Sequence, residues 1–212
     1  QEYFSPLGMD GRRQDLAQRP ELCKGSVEIV APDAYMIRPP MPVTHFFLID
    51  VSSQAVSSGV TSAACAAVAG ILGDLQGGGK ARVGIATFDK NVHFYQVRSG
   101  AQVRMLVSPD VDEPYAALAS KSLVTVGECQ EELEKLLESI PGMASKVAAG
   151  DSCAVAAIAS AAKVLEETGG KLTVFLNSLA RRGYAALEVR REVQGTVGPD
   201  KEPQKNLLPM ET

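Results

Sequence analysis

The side chains best suited to chemistry are a carboxylate and a hydroxyl two residues apart. Asp50 is followed by Ser52, and Gln54 occupies the next alternate position. Carboxylate and hydroxyl oxygens are the hard ligands that Mg²⁺ and Ca²⁺ take in proteins. A serine at position 54 would supply another such oxygen, and glutamine stands there instead. The sequence therefore leaves two interpretations: a degenerate cation site, or a structural pair that caps a helix and satisfies buried backbone groups.

The spacing Asp-x-Ser-x-Ser resembles the metal-adhesion motif of von Willebrand A domains. In that family a threonine from a later loop and an aspartate after a later strand complete the site. Here the last clear strand is followed by Asn177 and Ser178, and the loop position offers only Asp151 and Ser152. We therefore favour the structural interpretation, and predict that no metal ion is held by Asp50 and its neighbours.

No other group of residues forms a catalytic pattern. His45 and His93 both fall in strand-like segments, and the Gly-x-Ser-x-Gly sequence of a nucleophile elbow is absent. Residues 77–80 read Gly-Gly-Gly-Lys, but Ala81 follows where a phosphate loop needs serine or threonine. We interpret these glycines as a turn, both histidines as structural, and the chain as non-enzymatic, with no catalytic or cofactor-binding residue.

Charged residues leave one binding alternative open. The pairs Arg181-Arg182 and Arg190-Arg191 are either plain surface charge, which we favour, or contacts for phosphate or an acidic partner. The net charge of −4 over 212 residues excludes a nucleic-acid footprint spread over the whole chain. The glutamates between residues 128 and 138 are interpreted as the solvated face of a helix.

The four cysteines do not predict a metal site. Cys23, Cys65, Cys129 and Cys153 show no Cys-x-x-Cys spacing, so we expect no zinc site built from this chain alone. Cys65, Cys129 and Cys153 lie in apolar helical patterns, and we interpret them as small buried residues in a reducing cytosol. No apolar run approaches the roughly 18 residues of a membrane span. The chain begins with Gln1 and has no signal-like start, and we expect it to be a piece of a longer protein.

These residues must be positioned by an α/β fold. Residues 46–49 form a continuous apolar run, typical of a strand buried on both faces, and Asp50 lies at its carboxyl end, where such sheets place ligands. The helix after this strand should bury a stripe of apolar residues along one face. A later helix should end at Pro141. The stripe consists of Val60, Ala64, Ala67, Ile71 and Leu75, and the buried face of the later helix consists of Cys129, Leu133, Leu136, Leu137 and Ile140.

Further strands and a third helix complete the predicted fold. Residues 82–88 and 92–97 predict a β-hairpin, residues 103–107 another strand, and residues 26–30 an edge strand. A third helix from about Asp151 should bury Val155, Ile158, Ala162 and Leu165. A strand follows at 171–176 and a short helix at 185–193. The alternation predicts a doubly wound, mostly parallel sheet flanked by helices. We divide the chain into a linker (1–25), a domain (26–195) and a loose tail (196–212).

Several segments in order resemble one family. They are residues 19–28, 31–32, 35–38, 47–52, 84–89, 93–95, 136–141 and 169–175. Together they resemble the trunk domain of the cargo-adaptor subunit of the COPII vesicle coat, the Sec24 family, and the opening linker is similar to plant or algal versions.

The resemblance implies a von Willebrand A-like trunk with no enzymatic activity. It implies pairing with the GTPase-activating coat subunit, and cargo and SNARE sorting signals as ligands of the adaptor. The expected location is cytoplasmic, on endoplasmic reticulum membranes and vesicles by way of the assembled coat. The family's zinc finger lies upstream of this region, so no cofactor is expected in this chain. The alternative is a metal-dependent, ligand-binding A domain, motivated by Asp50 and Ser52.

Overall fold

A computed structural model describes residues 4–37, 40–147 and 150–187. Contacts divide the chain into two units, Gln1–Pro40 and Met41–Thr212. Our boundary between residues 25 and 26 stays a prediction, and the predicted tail 196–212 lies outside the described residues.

The described part of the first unit consists of turns and short helices. Helix α1 (Pro20–Cys23) starts with a proline, whose missing N–H is not needed at a first helical position. Residues 26–30 form neither strand nor helix, and Ile29 and Val30 are exposed. The predicted edge strand is therefore wrong. The alternating pattern is present, but a strand forms only where a second strand takes up its hydrogen bonds.

The second unit contains a mixed sheet. Its strands are β1 (Thr44–Asp50), β2 (Arg82–Phe88), β3 (Val92–Gln96), β4 (Arg104–Ser108), β5 (Leu123–Thr125) and β6 (Lys171–Phe175). The order is β4-β3-β2-β1-β6, and β5 also pairs with β2. β1 runs parallel to β2 and β6, and the other three pairings are antiparallel. The α/β class and the β2–β3 hairpin are confirmed, and the sheet is mixed rather than mostly parallel.

Helices cover both faces of the sheet. They are α2 (Ser53–Ser57), α3 (Val60–Ile71), α4 (Val126–Val147) and α5 (Ala154–Leu165). Every residue of β1 is buried, as the apolar run predicts. Phe47 and Ile49 pack in a cluster with α3 and α4, whereas Phe46 and Leu48 pack with α5. No helix among the described residues is both long and apolar enough to cross a membrane.

The helix after β1 differs from the prediction. It is broken between α2 and α3 by Gly59, whose φ of +80° lies in the left-handed region. Ala64 is buried as predicted, but Ala67 and Ile71 are exposed. The buried face is rotated around the helix because the Thr61 hydroxyl turns inward and donates a hydrogen bond to the backbone oxygen of Asp50. The buried stripe of α3 is Thr61, Ala64, Cys65 and Val68.

α4 continues past the predicted end at Pro141 as far as Val147. Pro141 removes one intrahelical hydrogen bond. Burial of Ile140 and packing of Ala144 against the same core favour the continuation. The predicted buried face of this helix is confirmed.

α5 presents its smallest residues to the sheet. The phenylalanines of the opposing sheet face, Phe46, Phe88 and Phe94, fill the space, so alanines fit best against them. Val155, Ile158 and Leu165 are half-buried rather than buried, and Ala162 is exposed. The buried residues of α5 are Ala154, Ala156, Ala157, Ser160, Ala161 and Val164. Residues 185–187 are not helical, and the rest of the predicted helix 185–193 lies outside the described residues.

Candidate functional site

Asp50 is the last residue of β1, and its side chain is fully buried. Its Oδ2 accepts hydrogen bonds from Asn177 N at 3.0 Å, from Ser178 N at 3.0 Å and from Ser178 Oγ at 2.7 Å. Its Oδ1 accepts a hydrogen bond from Ser52 N at 2.9 Å. Because β1 and β6 are adjacent and parallel, both ends reach the same edge of the sheet. Asp50 therefore ties together the chain segments that follow the two strands.

Ser52 extends this cluster to the helices. Its Oγ accepts a hydrogen bond from Ala55 N at 3.3 Å and so caps α2, as predicted. The same Oγ donates to Ser178 Oγ at 3.1 Å. Thr61 of α3 donates its hydroxyl to the backbone oxygen of Asp50 at 2.8 Å. We call Asp50, Ser52 and Ser178 the Asp50 cluster.

The donors around Asp50 determine what the cluster can do chemically. An ionised carboxylate offers about four acceptor positions. Four donors of the chain itself direct hydrogen bonds at this one, and Gln54 is exposed on α2. The described residues contain no group of three or more His, Cys, Asp and Glu side chains arranged to hold a metal ion. The geometry therefore suits a structural clamp better than a cation site.

The loop between α4 and α5 also approaches the segment after β6. Ser152 forms an isolated parallel bridge with Ala180, and its backbone oxygen accepts from Arg181 N at 3.0 Å and Arg182 N at 3.2 Å. Ser152 Oγ is buried and has no hydrogen-bond partner among the described residues. Asp151 is exposed. Of the two residues weighed for the threonine position, only Ser152 is buried beside the loop after β6.

The two histidines lie apart in the sheet. His45 pairs with Val83 and His93 with Thr87, four residues farther along β2, which corresponds to about 13 Å. The ring of His45 stacks on Phe47 with centroids 6.4 Å apart. The structure therefore does not bring the two imidazoles into one site.

Sequence analysis missed a polar network around His93. Thr87 Oγ1 lies 3.2 Å from His93 Nδ1 and 3.0 Å from Tyr95 Oη. Asp89 Oδ1 lies 3.7 Å from His93 Nε2, which is too long for a hydrogen bond. The alternation of β3 gave the only signal, since it places His93 and Tyr95 on one face.

Burial shifts the pKa values of His93 and Tyr95 in this network. It lowers the pKa of His93, and the nearby Asp89 carboxylate opposes that shift. Burial also raises the pKa of Tyr95 to about 12. Thr87 itself is buried and shares its hydroxyl with two partners, so the network has no exposed nucleophile. The side chains of Thr87, His93 and Tyr95 line one cavity together with Met105 and Val107 of β4.

Other predicted features have plain structural roles. Gly77 and Gly78 have φ of +103° and +56°, as expected for a turn that favours glycine. Arg181 and Arg182 are exposed, and the Arg190-Arg191 pair lies outside the described residues. Cys65, Cys129 and Cys153 are buried free thiols, and burial raises the pKa of Cys153 to about 12.

Comparison with known proteins gives consistent matches. A family model described as the Sec23/Sec24 trunk domain matches residues 40–211. Protein transport protein SEC24 B of Arabidopsis thaliana is 45% identical over 212 residues, covering 98% of this chain and 19% of that protein. Protein transport protein SEC24 of Dictyostelium discoideum is 37% identical, covering 95% of this chain and 20% of that protein. The chain thus spans about a fifth of the length of these curated relatives.

The fold comparison agrees with the sequence comparison. The crystal structure of the human COPII-coat protein Sec24c matches with a TM-score of 0.79 and 33% sequence identity, covering 90% of this chain and 27% of that chain. The matched protein is named as a COPII-coat protein.

Proposed function

The chain belongs to the Sec23/Sec24 trunk domain family, and from this premise we propose that it is part of a COPII cargo adaptor of the Sec24 type. The observation that carries the proposal is 45% identity to a SEC24 protein over 98% of the chain. In this role the chain does no catalysis. It supplies a folded surface through which the adaptor pairs with the GTPase-activating coat subunit and contributes to selecting cargo for transport from the endoplasmic reticulum to the Golgi.

The Asp50 cluster supports a structural use of the A-type fold. A cation-dependent A domain needs carboxylate oxygens that coordinate the metal ion. Asp50 instead accepts four hydrogen bonds from its own chain. We therefore propose that pairing with the coat subunit requires no Mg²⁺, and that the alternative, a metal-dependent ligand-binding A domain, is the weaker hypothesis.

The proposed location follows from the assembled coat. The adaptor would be cytoplasmic and would reach the endoplasmic reticulum membrane as part of the coat. The net charge of −4 favours contact with anionic lipid through other coat components rather than through the chain as a whole.

Co-elution on gel filtration tests the pairing. The 212-residue chain would be co-expressed with the full-length GTPase-activating subunit, and the complex would be run with Mg²⁺ and with EDTA. We expect one co-eluting peak of equal size in both buffers. Circular dichroism of the chain alone is the control for folding. A folded chain that elutes apart from the partner subunit in both buffers would contradict the proposed function.

A further inference from the structure

A cavity of about 360 Å³ lies between strands β3 and β4 and helix α4. Small-molecule sites in proteins have volumes of about 300–1,000 Å³ and a mostly apolar lining with a few polar groups. Met105 and Met143 are 52% and 41% exposed, so the cavity is open to solvent beside them. We call it the His93 cavity. Its apolar lining consists of Val51, Met105, Val107, Ile140, Met143 and Ala144.

The polar side chains of the His93 cavity form a directed chain of hydrogen bonds. Thr87 Oγ1 lies 3.0 Å from Tyr95 Oη and 3.2 Å from His93 Nδ1, and a hydroxyl has one hydrogen to donate. At neutral pH His93 is uncharged, because burial lowers its pKa. Every contact is satisfied when Tyr95 donates to Thr87 and Thr87 donates to Nδ1. The opposite direction would leave the Tyr95 hydroxyl without an acceptor among the described residues, so the imidazole proton belongs on Nε2.

The Nε2–H group of His93 is a donor that the described chain does not use. Asp89 Oδ1 lies 3.7 Å away, beyond hydrogen-bond distance, and accepts instead from Asn91 N at 2.9 Å. The side chain of His93 is 14% exposed and lines the cavity, so a bound molecule can reach it. A buried donor gains most from an acceptor that arrives together with an apolar group, because both exclude water from the site.

The charges at the His93 cavity favour a neutral ligand. Asp89 and Lys90 both line it, so their opposite charges select neither an anion nor a cation. An anion would lie beside the buried Asp89 carboxylate, and a cation would meet the Lys90 ammonium group. A charged group loses its hydration on entering an apolar cavity, and no free counterion of the chain repays that cost here. Hydrogen bonding to His93 is therefore the selective polar feature.

We propose that the His93 cavity binds a small neutral molecule with an apolar body and a hydrogen-bond-accepting oxygen, such as a ketone or amide carbonyl. The oxygen accepts from His93 Nε2, and the apolar body packs against Met105, Ile140 and Met143. Methionine side chains are flexible and polarisable, which lets them adapt to apolar ligands of different shape. This inference goes beyond the proposed coat role and does not depend on it.

Fluorine NMR titration of the 212-residue chain tests the proposal with a matched pair of probes. They are para-fluoroacetophenone, a neutral ketone, and para-fluoro-α-methylstyrene, in which a CH₂ group replaces the ketone oxygen. We expect the ketone to bind the wild type with a Kd of about 1 mM or tighter. The styrene has nearly the same shape and no acceptor, so it measures the apolar contribution alone. Absence of ketone binding at millimolar concentrations would overturn the proposal.

The substitution His93→Phe tests the hydrogen bond. It keeps an aromatic ring and removes the Nε2–H donor, so the affinity of the ketone relative to the styrene should fall about fivefold. His45→Phe makes the same change at a histidine that does not line the cavity, and should leave this ratio within about twofold of the wild type. An unchanged ratio in His93→Phe would show that His93 does not bind the ligand.

Two neighbouring positions on α4 test the location. Ala144 lines the His93 cavity, whereas Ser145 is exposed outside it. Ala144→Phe should fill the cavity and weaken both probes at least about tenfold, and Ser145→Phe should leave both within about twofold. Circular dichroism checks that each variant is folded, and the His93→Phe ratio tests the proposal even if Ala144→Phe does not fold. Equal binding to the wild type and folded Ala144→Phe would overturn the assignment of the cavity.

Discussion

Asp50 shows how one carboxylate can organise the end of a sheet. Burying an ionised carboxylate is costly unless donors replace the water it loses. Here four donors come from three residues: Ser52 after β1, and Asn177 and Ser178 after β6. The motif that suggested a cation site at first sight is thus satisfied within the chain.

Substitution of Asp50 tests this role at the residue scale. Asp50→Ala leaves several buried donors unsatisfied, so we expect the free energy of unfolding to fall by about 3 kcal/mol or more. Asp50→Asn keeps one acceptor oxygen, which can face the three donors at Oδ2, and should cost about 1–2 kcal/mol. Urea unfolding monitored by circular dichroism measures both values. Equal stability of the wild type and Asp50→Ala would contradict the clamp.

His93 gives a pH-dependent prediction. Burial lowers its pKa in the folded protein below the ordinary value of 6.5, so between these values the unfolded chain binds more protons than the folded chain. Its contribution to stability is therefore complete above pH 6.5 and is lost as the pH falls toward the folded pKa.

The variant His93→Gln isolates the contribution of the imidazole to the pH dependence of stability. We expect the wild type to lose more stability than His93→Gln between pH 7 and pH 5, as measured by urea unfolding at each pH. Identical pH profiles of the two proteins would contradict neutral burial of His93.

Among the helices and strands, the sequence correctly predicted the features that depend on side-chain burial and on the spacing of apolar residues. The run at residues 46–49 is buried on both faces, and the 3.6-residue period of α4 assigned its buried face correctly. The errors came from tertiary context. Residues 26–30 have a strand's alternation but no partner strand, and α3 turns Thr61 rather than Ile71 toward the core. The clamp around Asp50 needed the pairing of β1 with β6, which no local pattern gives.

The start of α4 depends on a close approach of two backbones. A Cβ atom at Gly127 would lie 2.9 Å from Gly79 O, and backbone atoms of the turn cannot move aside cheaply. We expect Gly127→Ala to destabilise the protein by about 1–3 kcal/mol, as overpacking does.

Gly142 of the same helix is the control. A Cβ atom there meets nothing within 4 Å, so Gly142→Ala should be neutral or stabilising by up to about 1 kcal/mol. Thermal unfolding of both variants measures the contrast. A stability gain in Gly127→Ala would contradict the close backbone approach of Gly79 to Gly127.

At the scale of the whole molecule, fold and function rest on different observations. A sheet covered by helices on both faces hosts many functions, so the α/β architecture alone does not assign one. The family match over residues 40–211 makes the chain a trunk domain, and the coat role is proposed from its SEC24 relatives. Asp50, whose carboxylate accepts its hydrogen bonds from the chain itself, supports the proposal that the fold is used here without a metal ion.

We propose that this chain uses an A-type fold for protein interactions without a bound cation. Thermal unfolding of the wild type in EDTA and in millimolar Mg²⁺ or Mn²⁺, followed by circular dichroism, tests this proposal. We expect unfolding midpoints within about 1 °C of one another, because an ion with no site shifts no equilibrium. A metal-dependent rise of about 5–10 °C that disappears in Asp50→Ala would contradict the proposal and establish a cation site at Asp50.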